Sequence, residues 1–296
     1  MPPLAFRIFL DTPLGISELR FFILTCISIT MMYLIAWLYA KYQIRRQGLK
    51  GDAASLYLKT VVTNQGRSSA FVGGAMLAIP AWGVEAGIFM AITGITLFAV
   101  MPYILSQMSR KQQKGKLEAI HLPWFLRLYP WYFIAFVLAA IILQKTTHIT
   151  SRDMGDWGVL LRFYTALTIP AALYYVGSGV HIRDIRTAEL KKLLGITTDS
   201  ATEHWQWVRQ IFIMTSVITP MIFFVILGTL MLSGIIPLAW MAVILINVAL
   251  PITGTNMFLV AYGLDKRATA HAVTWTTLIC VPIVVLLIEL FSRFSG

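Results

Sequence analysis

Charged residues are scarce in this chain of 296 residues. Lys, Arg, Asp and Glu make up 12% of it, about half of the roughly 25% that soluble domains carry. This deficit excludes a soluble globular domain, a disordered chain and a coiled coil, because all three need abundant polar surface. The chain has only two cysteines, Cys26 and Cys280, and both lie inside apolar runs. They provide neither a disulfide framework nor a metal site.

Acidic side chains are missing from the middle of the long apolar segments, since all 13 Asp and Glu residues lie in connecting stretches or near segment ends. Carboxylates in mid-membrane often serve as proton relays in pumps and transporters. We therefore expect no carboxylate-based proton coupling. The sequence also has no metal-spaced His and Cys set, no nucleophile elbow and no phosphate loop. We expect that the protein is not an enzyme and holds no cofactor or metal.

Apolar residues dominate instead, at 58% of the chain. They form eight long segments, each near the ~20 residues that a helix needs to cross a bilayer. Lipid offers no hydrogen-bond partners and the segments are too long for barrel strands, so they must be helices. The sequence predicts an all-α membrane protein with eight full spans, at about 19–40, 56–81, 84–107, 124–143, 158–180, 205–232, 237–262 and 269–291.

The net charge of +11 is distributed unevenly along the chain. Alternate loops contain 15 Lys and Arg residues, whereas the loops between them contain two, Lys145 and Arg152. Because basic loops stay in the cytoplasm, this asymmetry orients every span and places the C-terminus outside. We expect a plasma-membrane protein (an inner-membrane protein in a bacterium). The same topology rule explains the basic charge, so no nucleic-acid partner is predicted.

The order of the segments contains an internal repeat. The first three and the last three segments each consist of a plain helix, a broken helix and a plain helix. The two broken helices enter from opposite sides, as in the inverted repeats of many secondary transporters. Similar stretches at 1–5 and 169–173 extend the match to a five-plus-five helix plan, with repeats at 1–108 and 123–296 and a cytoplasmic linker at 109–122. In this plan the chain lacks a first helix and half of a second, and it begins with a partial helix.

Five stretches of the sequence carry a family resemblance. The clearest is ALPITGTNMFLVAYGLDKRATAHAVTWTTLICVPIVVLLI at 249–288. The others are QGRSSAFVGGAMLAIPAWGVEAG at 65–87, Thr-Ile-Pro-Ala-Ala-Leu-x-x-x-Gly at 168–177, Leu-Tyr-Pro at 128–130, and PPLAFRIFLD at the N-terminus. In this order and spacing they resemble the auxin efflux carrier family.

The resemblance implies ten helices with both termini outside, two crossing broken helices, and transport of small organic anions such as auxin or dicarboxylates. It also suggests a homodimer. The family usually has an Asn near Ser68 or Ser69 and a Pro near Ala75, and neither is present here. Two interpretations therefore stay open: a carrier of small organic anions, and a non-transporting receptor or degenerate member of the family.

The two breaks, predicted at 65–74 and at 251–255, supply the candidate substrate site. A half-helix N-terminus exposes N–H groups that suit a carboxylate, and Pro251 removes one helical hydrogen bond. The short polar side chains at the second break could bind substrate or only satisfy the freed backbone. The candidate binding residues are Arg67, Ser68, Ser69, Gly73, Gly74, Asn247, Pro251, Thr253, Gly254, Thr255 and Asn256.

Among these candidates, Arg67 points most specifically to a function. A charge inside a span costs about 2.5–3.5 kcal/mol on insertion scales and marks a functional site by default. Its guanidinium could pair with a substrate carboxylate, or it could snorkel to the cytoplasmic interface near the inner end of its segment. We expect a secondary carrier that binds a small organic anion where the broken helices cross and moves it by alternating access.

Overall fold

The computed structural model describes residues 2–12, 15–68, 76, 79, 81–112, 124–178, 186–197 and 202–294. Over these ranges the chain is helical and has no β-strand apart from one isolated bridge, which confirms the all-α prediction for this part. The helices are α1 (Pro2–Asp11), α2 (Ile16–Gln47), α3 (Gly51–Thr63), α4 (Gly83–Ile95), α5 (Met101–Gln112), α6 (Trp124–Thr147), α7 (Gly155–Ser178), α8 (Thr187–Leu193), α9 (Glu203–Ile213), α10 (Thr219–Leu232), α11 (Leu238–Ala249) and α12 (Lys266–Phe294).

Four of the described helical stretches are long and apolar enough to cross a membrane: Ile16–Gln47, Gly83–Met108, Glu203–Leu232 and Lys266–Phe294. In three of them only 33% of the most apolar window is buried within the protein. Many large apolar side chains, such as Phe224 and Leu286, are therefore exposed on the surface. An apolar surface of this extent is compatible with a membrane location.

Two π-helical turns allow long helices to continue past a proline. Thr96–Val100 joins α4 to α5, and Met214–Ile218 joins α9 to α10. Each turn ends two residues before a proline, Pro102 or Pro220. A proline has no N–H for the carbonyl one turn earlier, and a widened π turn shifts the neighbouring hydrogen bonds to accommodate this loss.

The chain divides into two compact units. The first consists of Met1–Ile27 and Ser69–Tyr174, and the second of Ser28–Ser68 and Tyr175–Gly296. Each unit thus combines sequence from both predicted repeats, because one repeat ends at 108 and the other begins at 123. The inverted-repeat plan and the count of eight spans remain predictions.

The first unit has a core in which α1 packs against α6. Phe9 and Leu10 of α1 cluster with Ala91, Val137 and Ala140, all almost fully buried. The carboxylate of Asp11 accepts two hydrogen bonds from Ser151, one from its backbone N–H (2.7 Å) and one from its hydroxyl (2.8 Å). The N-terminal segment expected to be a partial helix is therefore a short helix with its own apolar and polar contacts.

The second unit has a larger core. The candidate residues at 67–68 and 247–256 belong to this unit. Aromatic side chains of α3 and α9 meet in it: the rings of Tyr57 and Trp207 lie edge to face with centroids 5.1 Å apart. The hydroxyl of Tyr57 donates to Oε1 of Gln210 over 2.6 Å. Ile252, from the second break, is fully buried in the same cluster. The break is thus anchored in the core of its unit.

Candidate functional site

Two non-helical backbone segments meet in the second unit. The N–H of Ser68 donates to the carbonyl of Pro251 (3.0 Å), and the N–H of Thr253 donates to the carbonyl of Gly66 (2.9 Å). Arg67 and Ile252 are therefore paired in an antiparallel bridge. One segment follows the end of α3 and the other follows the end of α11, so the two predicted breaks are in direct contact.

Local sequence explains why both helices end where they do. A residue before proline is forced out of the helical region, and Leu250, directly before Pro251, has ψ 152°. Pro251 has no N–H, but its carbonyl remains available as the acceptor for Ser68. On the other side, α3 ends at Thr63, and the N–H groups of Gln65 and Gly66 close turns onto Val62 and Thr63. Gly66 then offers its carbonyl to Thr253.

Arg67 is buried, with 2% of its surface exposed. Its Nη2 donates to the carbonyl oxygen of Thr215 (2.9 Å) and to Oε1 of Gln65 (3.4 Å). Its Nε and Nη1 atoms are buried and have no hydrogen-bond partner. The side chain thus remains inside the unit rather than extending to the protein surface.

The acceptor for Arg67 is created by the π turn Met214–Ile218. In a regular α-helix the N–H of Thr219 would bond to the carbonyl of Thr215, but here it bonds to Met214. The next residue that could donate to Thr215 in π geometry is Pro220, which has no N–H. The Thr215 carbonyl is therefore left for a donor from outside the helix, and the Arg67 guanidinium supplies it.

The charge of Arg67 has no acidic partner in the described part of the chain, where the ion pairs involve only Arg7, Lys192 and Arg293. An unpaired buried charge is costly, and a carboxylate is the ligand that a guanidinium binds best, with two parallel N–H donors. The two donor atoms of Arg67 without partners, Nε and Nη1, lie on different edges of the guanidinium, so each would take its own acceptor oxygen. Within the described residues, no group of three or more His, Cys, Asp or Glu side chains could hold a metal ion.

The polar side chains at the second break mainly satisfy backbone groups. Thr253 precedes the 3-10 helix Gly254–Tyr262, and its hydroxyl accepts from the N–H of Thr255 (3.3 Å) as an N-cap. The two threonine hydroxyls are 2.9 Å apart. Asn256 is fully buried, and its Nδ2 donates to the carbonyl of Thr63 (3.0 Å), which joins the two breaks again. Its Oδ1 is buried without a partner.

The other predicted site residues have different positions. Asn247 is buried in α11, where its Nδ2 donates to the carbonyl of Val243 one turn earlier (2.8 Å). Ser68 is buried and contributes its backbone N–H to the bridge. Gly254 is buried at the start of the 3-10 helix. Ser69, Gly73 and Gly74 lie outside the described residues. The structure therefore brings together the members of the set at 67–68 and 251–256.

Several residues at this junction were not among the sequence candidates. Gln65 accepts from Arg67 and donates from Nε2 to the hydroxyl of Thr215 (3.2 Å). Nδ2 of Asn64 donates to the hydroxyl of Thr269 in α12 (3.2 Å), and its Oδ1 is buried without a partner. Pro220 is a sequence signal for a free carbonyl near here: in α geometry it would be that of Ser216, and the π turn shifts it to Thr215.

The side-chain N–H groups left without partners here are of the kind that pair with an anion. The unsatisfied donors belong to a fixed, buried, positively charged group, while Asn64 and Asn256 provide unsatisfied acceptors elsewhere at the same junction. A small molecule with a carboxylate and a polar N–H or O–H group would complement both kinds of atom. In comparisons with protein-family models, with curated proteins and with solved structures, no match to this chain was found.

Proposed function

We propose that this protein is a membrane secondary transporter for small organic anions, such as carboxylates or auxin-like compounds. The observation that carries the proposal is Arg67: a buried guanidinium with two unpartnered donor atoms at the point where two helix breaks pair. Broken helices that meet and bind substrate with freed backbone and polar groups are characteristic of secondary transporters. The exposed apolar helices and the sequence resemblance support the same proposal.

The sign of the local charge favours an anion over a cation as the bound species. In a weakly polar interior the interaction between charges is far stronger than in water, so the unpaired Arg67 repels a cation and attracts a carboxylate. Binding of a carboxylate would also pair a charge that is costly to bury alone. Alternating access then moves the neutralised pair of charges between the two sides of the membrane.

Uptake of a labelled carboxylate into proteoliposomes tests this proposal. The purified chain is reconstituted and compared with Arg67→Gln, which removes the charge, and with Arg67→Lys, which keeps it without the bidentate geometry. Arg45→Gln is the matched control, because Arg45 is an exposed basic residue of α2. We expect uptake to be lost in Arg67→Gln, to be reduced in Arg67→Lys and to be unchanged in Arg45→Gln.

A binding measurement with the same variants separates the carrier from the alternative function, a non-transporting receptor. Quenching of tryptophan fluorescence reports carboxylate binding in detergent without any need for transport. Saturable binding that depends on Arg67, with no uptake, would favour the receptor. Uptake that is equal in the wild type and Arg67→Gln would refute the assignment of Arg67 as the anion ligand.

A further inference from the structure

A second basic site lies in a cavity of about 530 Å³ between the C-terminal part of α2 and α9. Its lining includes Tyr39, Gln43, Arg46 and Gln47 from α2, and Arg209 and Gln210 from α9. Arg67 is not among its lining residues. Both walls belong to the second unit. This volume lies within the ~300–1,000 Å³ typical of small-molecule sites.

The lining residues are rich in hydrogen-bond donors and include no carboxylate. Two guanidinium groups, of Arg46 and Arg209, supply positive charge. Nε2 of Gln47 is buried without a hydrogen-bond partner. Oε1 of Gln210 accepts from Tyr57 (2.6 Å), which leaves the Nε2 donor of that amide for another acceptor. This set of groups is complementary to a phosphate, which offers several strong acceptor oxygens and negative charge.

One of these arginines packs against a backbone turn. Gly195, just after α8, has φ +79°, and the guanidinium of Arg209 lies close against it. The left-handed conformation favours a glycine at this position. Arg209 thus brings its positive charge to the cavity beside this turn.

The side chains next to this cavity are of the kinds found at a membrane surface. On α2, Nζ of Lys41 lies 3.7 Å above the ring of Trp37, and Tyr42 is 60% exposed. Aromatic and basic side chains together mark the headgroup region of a bilayer. Leu38, at the same level, is 54% exposed, and Ile213 of the cavity wall is 38% exposed. The cavity therefore has polar walls next to an apolar outer surface.

We propose that this cavity binds the phosphate headgroup of an anionic membrane lipid. Basic pockets between membrane helices on the cytoplasmic side suit such headgroups, and the count of basic loop residues predicts that the end of α2 lies on that side. The apolar surface beside Leu38 and Ile213 would receive the acyl chains, which a free phosphate compound does not have. The proposal is independent of the substrate at Arg67.

Native mass spectrometry of the full chain in neutral detergent tests this assignment. The probe is phosphatidylglycerol, with phosphatidylcholine as the zwitterionic comparison and glycerol phosphate as the phosphate source without acyl chains. We expect one tightly bound phosphatidylglycerol, weak binding of phosphatidylcholine, and no displacement by glycerol phosphate at equal concentration. The double variant Arg46→Gln/Arg209→Gln should bind phosphatidylglycerol roughly 30-fold more weakly, since each basic residue contributes about fivefold.

The matched control is Arg45→Gln/Arg267→Gln, which removes the same charge from two exposed residues that do not line the cavity. It should bind phosphatidylglycerol within about twofold of the wild type, because the screened attraction of distant surface charges is small. Equal loss in both double variants would overturn the site, as would full displacement by glycerol phosphate. If Arg46→Gln/Arg209→Gln is not monodisperse, the single variant Arg46→Gln is compared with Arg45→Gln instead. Both residues are exposed, and only Arg46 lines the cavity.

Discussion

Nη2 of Arg67 donates to the carbonyl oxygen of Thr215 over 2.9 Å, although 148 residues separate them in sequence. The carbonyl is available because Thr219 bonds to Met214 and Pro220 has no N–H to offer. A proline in one helix thus fixes the position of a positive charge in the break of another. The bond satisfies one end of the guanidinium and leaves Nε and Nη1 without partners. Removing either the charge of Arg67 or the proline that frees its acceptor should therefore alter this site.

Arg67→Met should stabilise the protein and abolish carboxylate binding. Burying an unpaired charge costs several kcal/mol, which exceeds the roughly 1.5–3 kcal/mol of a hydrogen bond to a charged group. We expect the free energy of unfolding to rise by about 1–3 kcal/mol, read as a higher Tm in detergent. Added carboxylate should raise the Tm of the wild type but not of Arg67→Met.

The control is Arg45→Met, at an exposed residue, which should change stability by less than about 0.5 kcal/mol. A lower Tm for Arg67→Met would indicate a purely structural arginine.

Pro220→Ala should weaken carboxylate binding without destabilising the protein. The substitution restores an N–H that can donate within the helix, so the turn at Met214–Ile218 can return to α geometry. Arg67 then loses its acceptor, and we expect the carboxylate Kd to rise roughly tenfold, which corresponds to about 1.4 kcal/mol. Pro170→Ala is the matched control, since Pro170 lies inside the regular helix α7. An unchanged Kd in Pro220→Ala would show that the proline does not position Arg67.

The sequence was a good guide to where the backbone leaves the helix. Glycine, proline and short polar residues predict breaks at 65–74 and 251–255, and the described backbone is non-helical at 65–68 and 251–253. The burial of Arg67 was beyond this reasoning, because snorkelling and inward pairing have the same sequence signal. The choice between them depends on Thr215, which reaches Arg67 only through tertiary packing. The rule that a proline frees the carbonyl four residues earlier points to Ser216, and Thr215 becomes the acceptor only because of the π turn.

The polar residues of the second break illustrate the same limit. Thr253 and Asn256 were predicted with two possible roles, substrate binding or repair of the backbone. Their hydrogen bonds to Thr255 and Thr63 serve the backbone in the described structure. Their spacing in sequence could not decide this, because the carbonyl that Asn256 satisfies belongs to a segment 193 residues earlier.

Thr253→Ala should reduce stability and leave the carboxylate Kd unchanged. Loss of a threonine N-cap costs about 1 kcal/mol, while Thr253→Ser keeps the capping oxygen and should match the wild type. Unfolding in detergent and fluorescence titration measure the two effects separately. The control is Thr277→Ala, whose hydroxyl bonds only within its own helix α12 (2.7 Å to Val273). It should alter stability by less than about 0.5 kcal/mol. A Kd raised in Thr253→Ala and normal in Thr253→Ser would assign a substrate contact to this hydroxyl.

Asp11→Ala should release the N-terminal helix α1 from the first unit. The carboxylate accepts two hydrogen bonds from Ser151 and lies 3.5 Å from Nε of Arg7. Hydrogen bonds to charged groups contribute about 1.5–3 kcal/mol when buried, and partial exposure reduces this to roughly 1–2 kcal/mol. Hydrogen exchange in α1 should therefore accelerate roughly tenfold.

Glu18→Ala is the control, because the carboxylate of Glu18 accepts from the nearby N–H of Gly15. In this variant, hydrogen exchange in α1 should not change. Unaltered exchange in Asp11→Ala would mean that the apolar contacts of Phe9 and Leu10 hold α1 without the carboxylate.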